Sequence, residues 1–383
     1  MINKKLYYII LILFSGFNAN SQEIEFKDSY FKEALLFHIP KIDLDSNFSI
    51  SVNEALNVKF LNLNAGGIRF INEISFFENL ETLVCSNNLI KDISLTPLTK
   101  LKGIDVSNNK LNNIDFSANF LLESIKCGGN YLQSIDISKN LQIDTLYCGN
   151  NKISQIDISK NTDLRFLDCA LNQISNLNVI ANTKLIKLNC SWNHLTELNI
   201  NNNSNLEELH CNNNELVNLS TELNPKLLIL NSNNNQISSI TLNDSISDID
   251  VSKNFLNTLN LNNKSKLKYI FASNNNLFYL NLYKNHQLLN VNLINNNLVD
   301  VCLDTIQNNF LSNNILKWQK DDSVTWTTEC INTINGFDAK VTLSDKILLK
   351  VYTIWGTEIS LSEVDRGLFI YFYSDGTKEK LIK

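Results

Sequence analysis

Near the start of the chain, oxygen-bearing side chains alternate with other residues: Asp43, Asp45, Asn47, Ser49, Ser51 and Glu54. Numbered from Asp43, side-chain oxygens stand at positions 1, 3, 5, 9 and 12, and the Ser49 carbonyl at position 7 completes a set of hard ligands. That spacing suits calcium. Ile50 supplies an apolar residue at position 8. Position 6 is Phe48, where such a loop needs a left-handed backbone and usually glycine; a side chain there costs about 1–2 kcal/mol. The alternative is a loop that serves only as an N-terminal cap.

Eight cysteines offer a second chemistry. Cys85, Cys127, Cys148, Cys169, Cys190 and Cys211 share one register and lack the CxxC-type spacing of a thiolate metal site. They read as a buried column of small apolar residues whose parallel Cβ vectors disfavour mutual bonding. Cys302 reads as outward, beside inward Val301 and Leu303, and Cys330 follows outside the repeats. A Cys302–Cys330 disulfide is expected to clamp that end of the array, adding about 3 kcal/mol.

Catalytic chemistry finds no foothold. The chain has 4 His, scattered along its length, and no GxSxG, HExxH or phosphate-cradling glycine loop. His210 faces outward while Cys211 faces inward, so the two cannot pair. The net charge of −6 argues against nucleic acid, which demands a basic face. No enzyme is expected.

The elements that carry these residues come from a repeat. Apolar residues open coils at Val58, Leu80, Leu101, Leu122, Ile143, Leu164, Leu185, Leu206, Leu227, Ile246, Leu267 and Leu288. The step is 21 residues, except 22 at the first and 19 between Leu227 and Ile246. Leu185, Leu188, Cys190, Asn193, Leu195, Leu198 and Ile200 make up one coil. The L-x-x-L-x-C-x-x-N spacing resembles leucine-rich repeats. The fold expected is a β-rich solenoid: a leucine-rich-repeat array of about 12 coils, with a small helical N-terminal cap and a small C-terminal β domain. Alternation at Leu188-x-Cys190 and Leu198-x-Ile200 predicts two short extended segments per coil, both facing inward.

Asparagine supplies 64 of the 383 residues, against 11 Gly and 3 Pro. Eleven coils carry it at one register, from Asn88 to Asn296, and a second column runs Asn119, Asn140, Asn161, Asn182, Asn203 and Asn224. Both read as structural, an amide in each coil holding turn backbone groups.

Outward residues flanking the second Leu change from coil to coil while the inward ones hold, which is how such arrays carry specificity. Tyr147 and Phe166, ringed by Lys126, Asp168 and Lys187, are expected to form one contact patch; Tyr269 and Phe271 form another, and His210 lies outward between them. Exposed aromatics rimmed by polar groups suit a protein or a sugar ring.

The ends carry addresses. Lys4 and Lys5, the apolar run Leu6–Phe14 and Ala19-Asn20-Ser21 read as a signal peptide over 1–21. Residues 22–57 are the N-terminal cap, with a helix near Ser29–His38; 58–303 are the repeats, 304–335 a C-terminal cap and 336–383 a β domain without Asn. Segments 346–353 and 368–373 read as strands, with turns at Trp355-Gly356 and Ser374-Asp375-Gly376.

The 43–54 loop resembles EF-hand and dockerin-type calcium loops. The tail, GLFIYFYSDGTKEK and its basic end, resembles the sorting domain of type IX secretion substrates in Bacteroidetes. The whole order resembles flavobacterial surface leucine-rich-repeat proteins, with internalin-type adhesins as relatives. That resemblance implies a secreted chain attached at the outer membrane surface. It would engage secretion machinery through its C-terminus, keep no transmembrane segment after processing, and capture a protein or glycan on the concave face. The alternative is a passive spacer.

Overall fold

The computed structural model describes residues 22–312 and 318–328, together with the backbone of 348–353, 358–359, 368–373 and 378–382. The chain forms two compact units, Met1–Ile143 and Asp144–Lys383.

The first unit opens on helix α1, Ser29–Leu36, which buries Phe31 and Leu35. Asp28 caps it: its Oδ1 accepts from the Tyr30 and Phe31 amides at 2.9 and 3.2 Å. Its Oδ2 accepts from Arg69 and Phe70 at 2.7 and 3.0 Å, which ties the cap to the first coil. A second short helix, α2 (Val52–Leu56), starts at a Ser51/Glu54 capping box. Strands Phe60–Asn62, Thr82–Val84, Gly103–Asp105 and Ser124–Lys126 then pair in parallel, one per coil. His38 covers the free edge of this sheet by accepting the Asn62 amide on Nε2 at 3.0 Å.

The second unit repeats the plan. Its strands Thr145–Tyr147, Phe166–Asp168, Lys187–Asn189, Glu208–His210, Ile229–Asn231, Asp248–Asp250, Tyr269–Phe271 and Asn290–Asn292 are parallel and in sequence order. The 19-residue step is absorbed without losing register, since Leu230 pairs Ile249.

Inward residues are buried as expected. Leu188 and Cys190 are 1% and 0% exposed. The column cysteines are free thiols. Burial pushes the Cys190 thiol up to about 12, so it stays protonated and unreactive at neutral pH. Leu198 and Ile200 are also buried, but they lie outside any strand. The expected second extended segment is thus a turn-rich path in that coil. Regular strands occur on that side at Asn218–Ser220, Ser239–Thr241, Leu280–Asn281 and Asp300–Cys302.

The first asparagine column does what its register suggested. In Asn193 the amide nitrogen donates to the Cys169, Cys190 and Ser191 carbonyls at 3.0, 3.1 and 3.2 Å. Its oxygen accepts the Ile174 amide at 2.9 Å. One side chain therefore joins neighbouring coils through four backbone groups. The second column works by donors alone: Asn182 gives both N–H groups to Ile158 and Asn161 carbonyls, at 3.0 and 2.8 Å. Two other residues stand in this column. Lys264 is buried and paired with Asp244. Gln307, on helix α3 (Thr305–Ser312), reaches the Leu282 and Asn285 carbonyls at 3.2 and 3.0 Å.

Cys302 is not exposed at the surface. It is fully buried and disulfide-bonded. Strand Thr325–Thr327 pairs over it, Cys302 opposite Thr327, and so covers the side the repeat alone would expose. Its expected partner Cys330 lies outside the described residues, as do residues 1–21 and the two tail turns. Strands Leu348–Thr353, Glu358–Ile359, Leu368–Tyr373 and Lys378–Ile382 form a separate antiparallel sheet, including both tail segments expected to be strands. Among the described residues no helix is long and apolar enough to cross a membrane.

Candidate functional site

In the first unit, Asp43, Asp45 and Glu54 bring one carboxylate oxygen each within 4.8 Å of one another. Phe48 has φ 62°, the left-handed backbone that position 6 requires, even though it is not glycine. The carboxylates are already occupied. Asp43 accepts the Asn47 and Phe48 amides, each at 3.2 Å. Glu54 accepts Leu44 N–H at 2.7 Å and both the Ser51 amide and hydroxyl at 2.9 Å. Burial alone would raise the Glu54 carboxyl, but these donors outweigh it and hold the pKa below the usual value. Two more of the expected ligands are engaged within the loop. Ser51 turns to Glu54, and the Asn47 oxygen accepts the Ser49 amide. Lys126 also belongs to this unit, half-buried on strand Ser124–Lys126.

The second unit carries the other expected contact residues. Tyr147 is 39% exposed, while Phe166, Asp168, His210, Tyr269 and Phe271 are half-buried and Lys187 is exposed. The parallel ladder sets Tyr147 beside Asp168, and Phe166 beside Lys187. The Arg165 guanidinium sits 5.3 Å from the centre of the Phe166 ring. Lys187 and His210 meet on Glu208, each at 2.7 Å. The Lys187 and His210 hydrogen bonds hold the Glu208 carboxyl below its ordinary pKa. Glu208 was not anticipated, although its i, i+2 spacing from His210 places both on the outward side of one strand.

Asp168 has a structural task as well. Its Oδ1 accepts the Ala170 amide and its Oδ2 the Asn189 amide nitrogen, both at 3.0 Å. Asn189, Asn231, Asp250 and Asn292 each accept the amide two residues on in the same way. The facing column repeats the device at Asp115, Asp136 and Asp157. Much of the outward column therefore shapes turns. Tyr269 and Phe271 flank Ile270 and pair with Asn290 and Asn292, a separate and less exposed aromatic pair.

The architecture now has relatives. A family profile described as Leucine Rich repeats (2 copies) matches residues 78–119. The fold is a leucine-rich-repeat solenoid. The functional domain of InlJ from Listeria monocytogenes, which includes a cysteine ladder, is similar with TM-score 0.66 at 21% identity, over 88% of this chain and 92% of that one. The internalin InlF from Listeria monocytogenes is similar at TM-score 0.56 and 20% identity, over 79% and 91%. The plant peptide hormone receptor RGFR1, solved in complex with RGF2, is similar at TM-score 0.57 and 17% identity, over 67% and 50%. These likenesses are of fold. No curated protein matches the chain in sequence.

Sequence reading missed two exposed residues of the second unit, Leu171 and Trp192. The signal was present: both break a column that is otherwise mostly asparagine.

Proposed function

We propose that the chain is an exported binding protein whose second unit holds a protein partner on the face bearing Tyr147, Phe166 and the Lys187–Glu208–His210 cluster. The reading rests on one observation: Tyr147 and Phe166 stand on adjacent strands of a rigid ladder, with their neighbouring charges already fixed. Aromatic residues in a pre-ordered polar rim are the usual anchors of an interface, because little ordering entropy remains to be lost. Leucine-rich-repeat scaffolds serve binding, as in the receptor solved with its peptide, and nothing in this face encloses a substrate away from water.

The test compares native chain with a Tyr147→Ala, Phe166→Ala chain as bait for cell-surface protein extracts. Partners held by the first and lost by the second, with an unmoved melting temperature, are expected. Equal retention by both would remove this face from the proposal and favour a passive spacer. Intact mass of the native protein from medium, surface and periplasm checks export: loss of residues 1–21 is expected, and loss of the tail would mark it as a sorting signal.

Calcium at the 43–54 loop is a second reading, motivated by the convergence of Asp43, Asp45 and Glu54. A cation there would exchange backbone amide donors for its own charge. Millimolar calcium is expected to raise the melting temperature, and Asp45→Ala, which leaves the capping box intact, to abolish the rise. No shift in the native chain would leave the loop as a cap.

A further inference from the structure

In every coil the residue just before the first-column asparagine takes a left-handed backbone. The column reads Asn87, Asn108, Gly129, Asn150, Leu171, Trp192, Asn213, Asn234, Lys253, Asn274 and Asn295, with φ between 53 and 67°. Asparagine and glycine suit this conformation, and bulky side chains do not. Leu171 and Trp192 nevertheless hold it at φ 55°, and both are about half exposed, at 49% and 55%. Internal packing therefore returns little for the unfavourable backbone. The two are neighbours: the Leu171 amide donates to the Ser191 carbonyl at 2.9 Å, and the Asn172 amide to the Trp192 carbonyl at 3.2 Å.

The break also opens an amide ladder. Elsewhere in this column the side-chain nitrogen of one asparagine donates to the oxygen one coil before, as Asn234 does to Asn213 at 2.6 Å and Asn295 to Asn274 at 3.0 Å. Asn213 finds Trp192 where its acceptor would stand. Among the described residues, neither the Asn213 nor the Asn150 side-chain nitrogen donates a hydrogen bond, although both backbone amides do. An exposed indole and a leucine thus lie between two uncharged amides with donors to spare. The nearby Asp168 carboxylate already accepts one donor on each oxygen, from Ala170 and Asn189.

We propose that Asn150, Leu171, Trp192 and Asn213 form a carbohydrate subsite that takes the apolar face of a neutral pyranose chain. An indole offers a flat, polarisable surface to axial C–H groups, while neutral amides satisfy hydroxyls without the desolvation of an ion. Successive coils are about 4.8 Å apart, close to the advance of an extended pyranose chain per sugar, so rings and coils run in step. The site lies beyond the strand ends and stands apart from the Tyr147–Phe166 reading.

The experiment is calorimetric titration of the full chain with cellohexaose, laminarihexaose, chitohexaose, maltohexaose and xylohexaose. At least one is expected to bind. Trp192→Asn, which restores the column's own residue, is expected to weaken that binding at least tenfold without lowering the melting temperature. Trp192→Phe should keep most of it, and the Tyr147→Ala, Phe166→Ala chain should bind as the native one does. Absence of binding by all five sugars would overturn the subsite. So would unchanged affinity in Trp192→Asn. A lower melting temperature in Trp192→Asn would show the indole to be a packing residue and would overturn the subsite as well. Loss in the Tyr147→Ala, Phe166→Ala chain alone would move the sugar to the strand face and end the rim proposal.

Discussion

Asp28→Ala is expected to destabilise the first unit by about 3 kcal/mol, far more than an ordinary helix cap, whose loss costs about 1 kcal/mol. The excess has a structural source. Asp28 is 6% exposed and accepts four backbone amides, two from its own helix and two from Arg69 and Phe70. Removing it orphans both sets and unties the cap from the coil that it covers. Burial alone would raise the Asp28 pKa, but the four donors outweigh burial and hold it below 3.8. A depressed carboxyl binds fewer protons when folded. Its stabilisation is therefore fully present above the unfolded value near 3.8 and is lost as pH falls through the lower folded value. Asp28→Asn keeps one acceptor oxygen, enough for one of the two amide pairs, and carries no charge, so it should be intermediate and lack this acid slope. Urea midpoints from pH 2 to pH 7, with amide exchange at Tyr30, Phe31, Arg69 and Phe70, read both effects. An Asp28→Ala chain with native midpoint and native exchange would refute the tie.

Asn193→Asp should cost the second unit about 4 kcal/mol at pH 7, because a buried ion would keep only the Ile174 amide and face three carbonyl oxygens. The change is nearly isosteric, so shape is not the issue. An ionised carboxylate has no N–H to give, yet three carbonyls stand 3.0 to 3.2 Å from the atom that it would replace. Burial beside carbonyl oxygens raises the pKa of the introduced group above its unfolded value of about 3.9. The folded state then binds more protons than the unfolded one, so lost stability returns as pH falls through the raised pKa. Asn193→Ala also loses the bonds but carries no charge; its loss should be smaller and should lack that recovery on acidification. Thermal melts at pH 7 and pH 5 separate the two. A matched pH response in both variants would mean that the amide donors are not what holds adjacent coils together.

The array was readable because inward positions obey one rule. Leu188 and Cys190 must both be buried in every copy of the coil, and repetition displays that constraint many times over. The asparagine register was readable for the same reason. The outward residues were harder. Alternation says that Asp168 leaves the core, but not that it bends back to its own turn and to Asn189. Glu208 reads as an outward residue one coil from Lys187, but residue types do not say that Lys187 and His210 both close on it. The burial of Cys302 was not legible because the strand Thr325–Thr327 that pairs beside it does not follow the repeat. Leu171 and Trp192 were visible as a broken column, yet the left-handed backbone that gives the break its meaning is not written in residue types.

The Asn193 bonds reach the coil before it and no further. For the gene, this makes each coil a unit of inheritance. An unequal exchange that deletes residues 173–193 joins Asn172 to His194 with every column in step, and strand Phe166–Asp168 meets Glu208–His210 as its new neighbour. A deletion that slips a strand by one residue shifts Leu and Cys from inside to outside, whereas a shortening confined to the path between strands is absorbed, as in the 19-residue coil. Length along such a lineage should change mainly by whole coils, and recombination could add or discard the Leu171–Trp192 step without redesigning the fold around it.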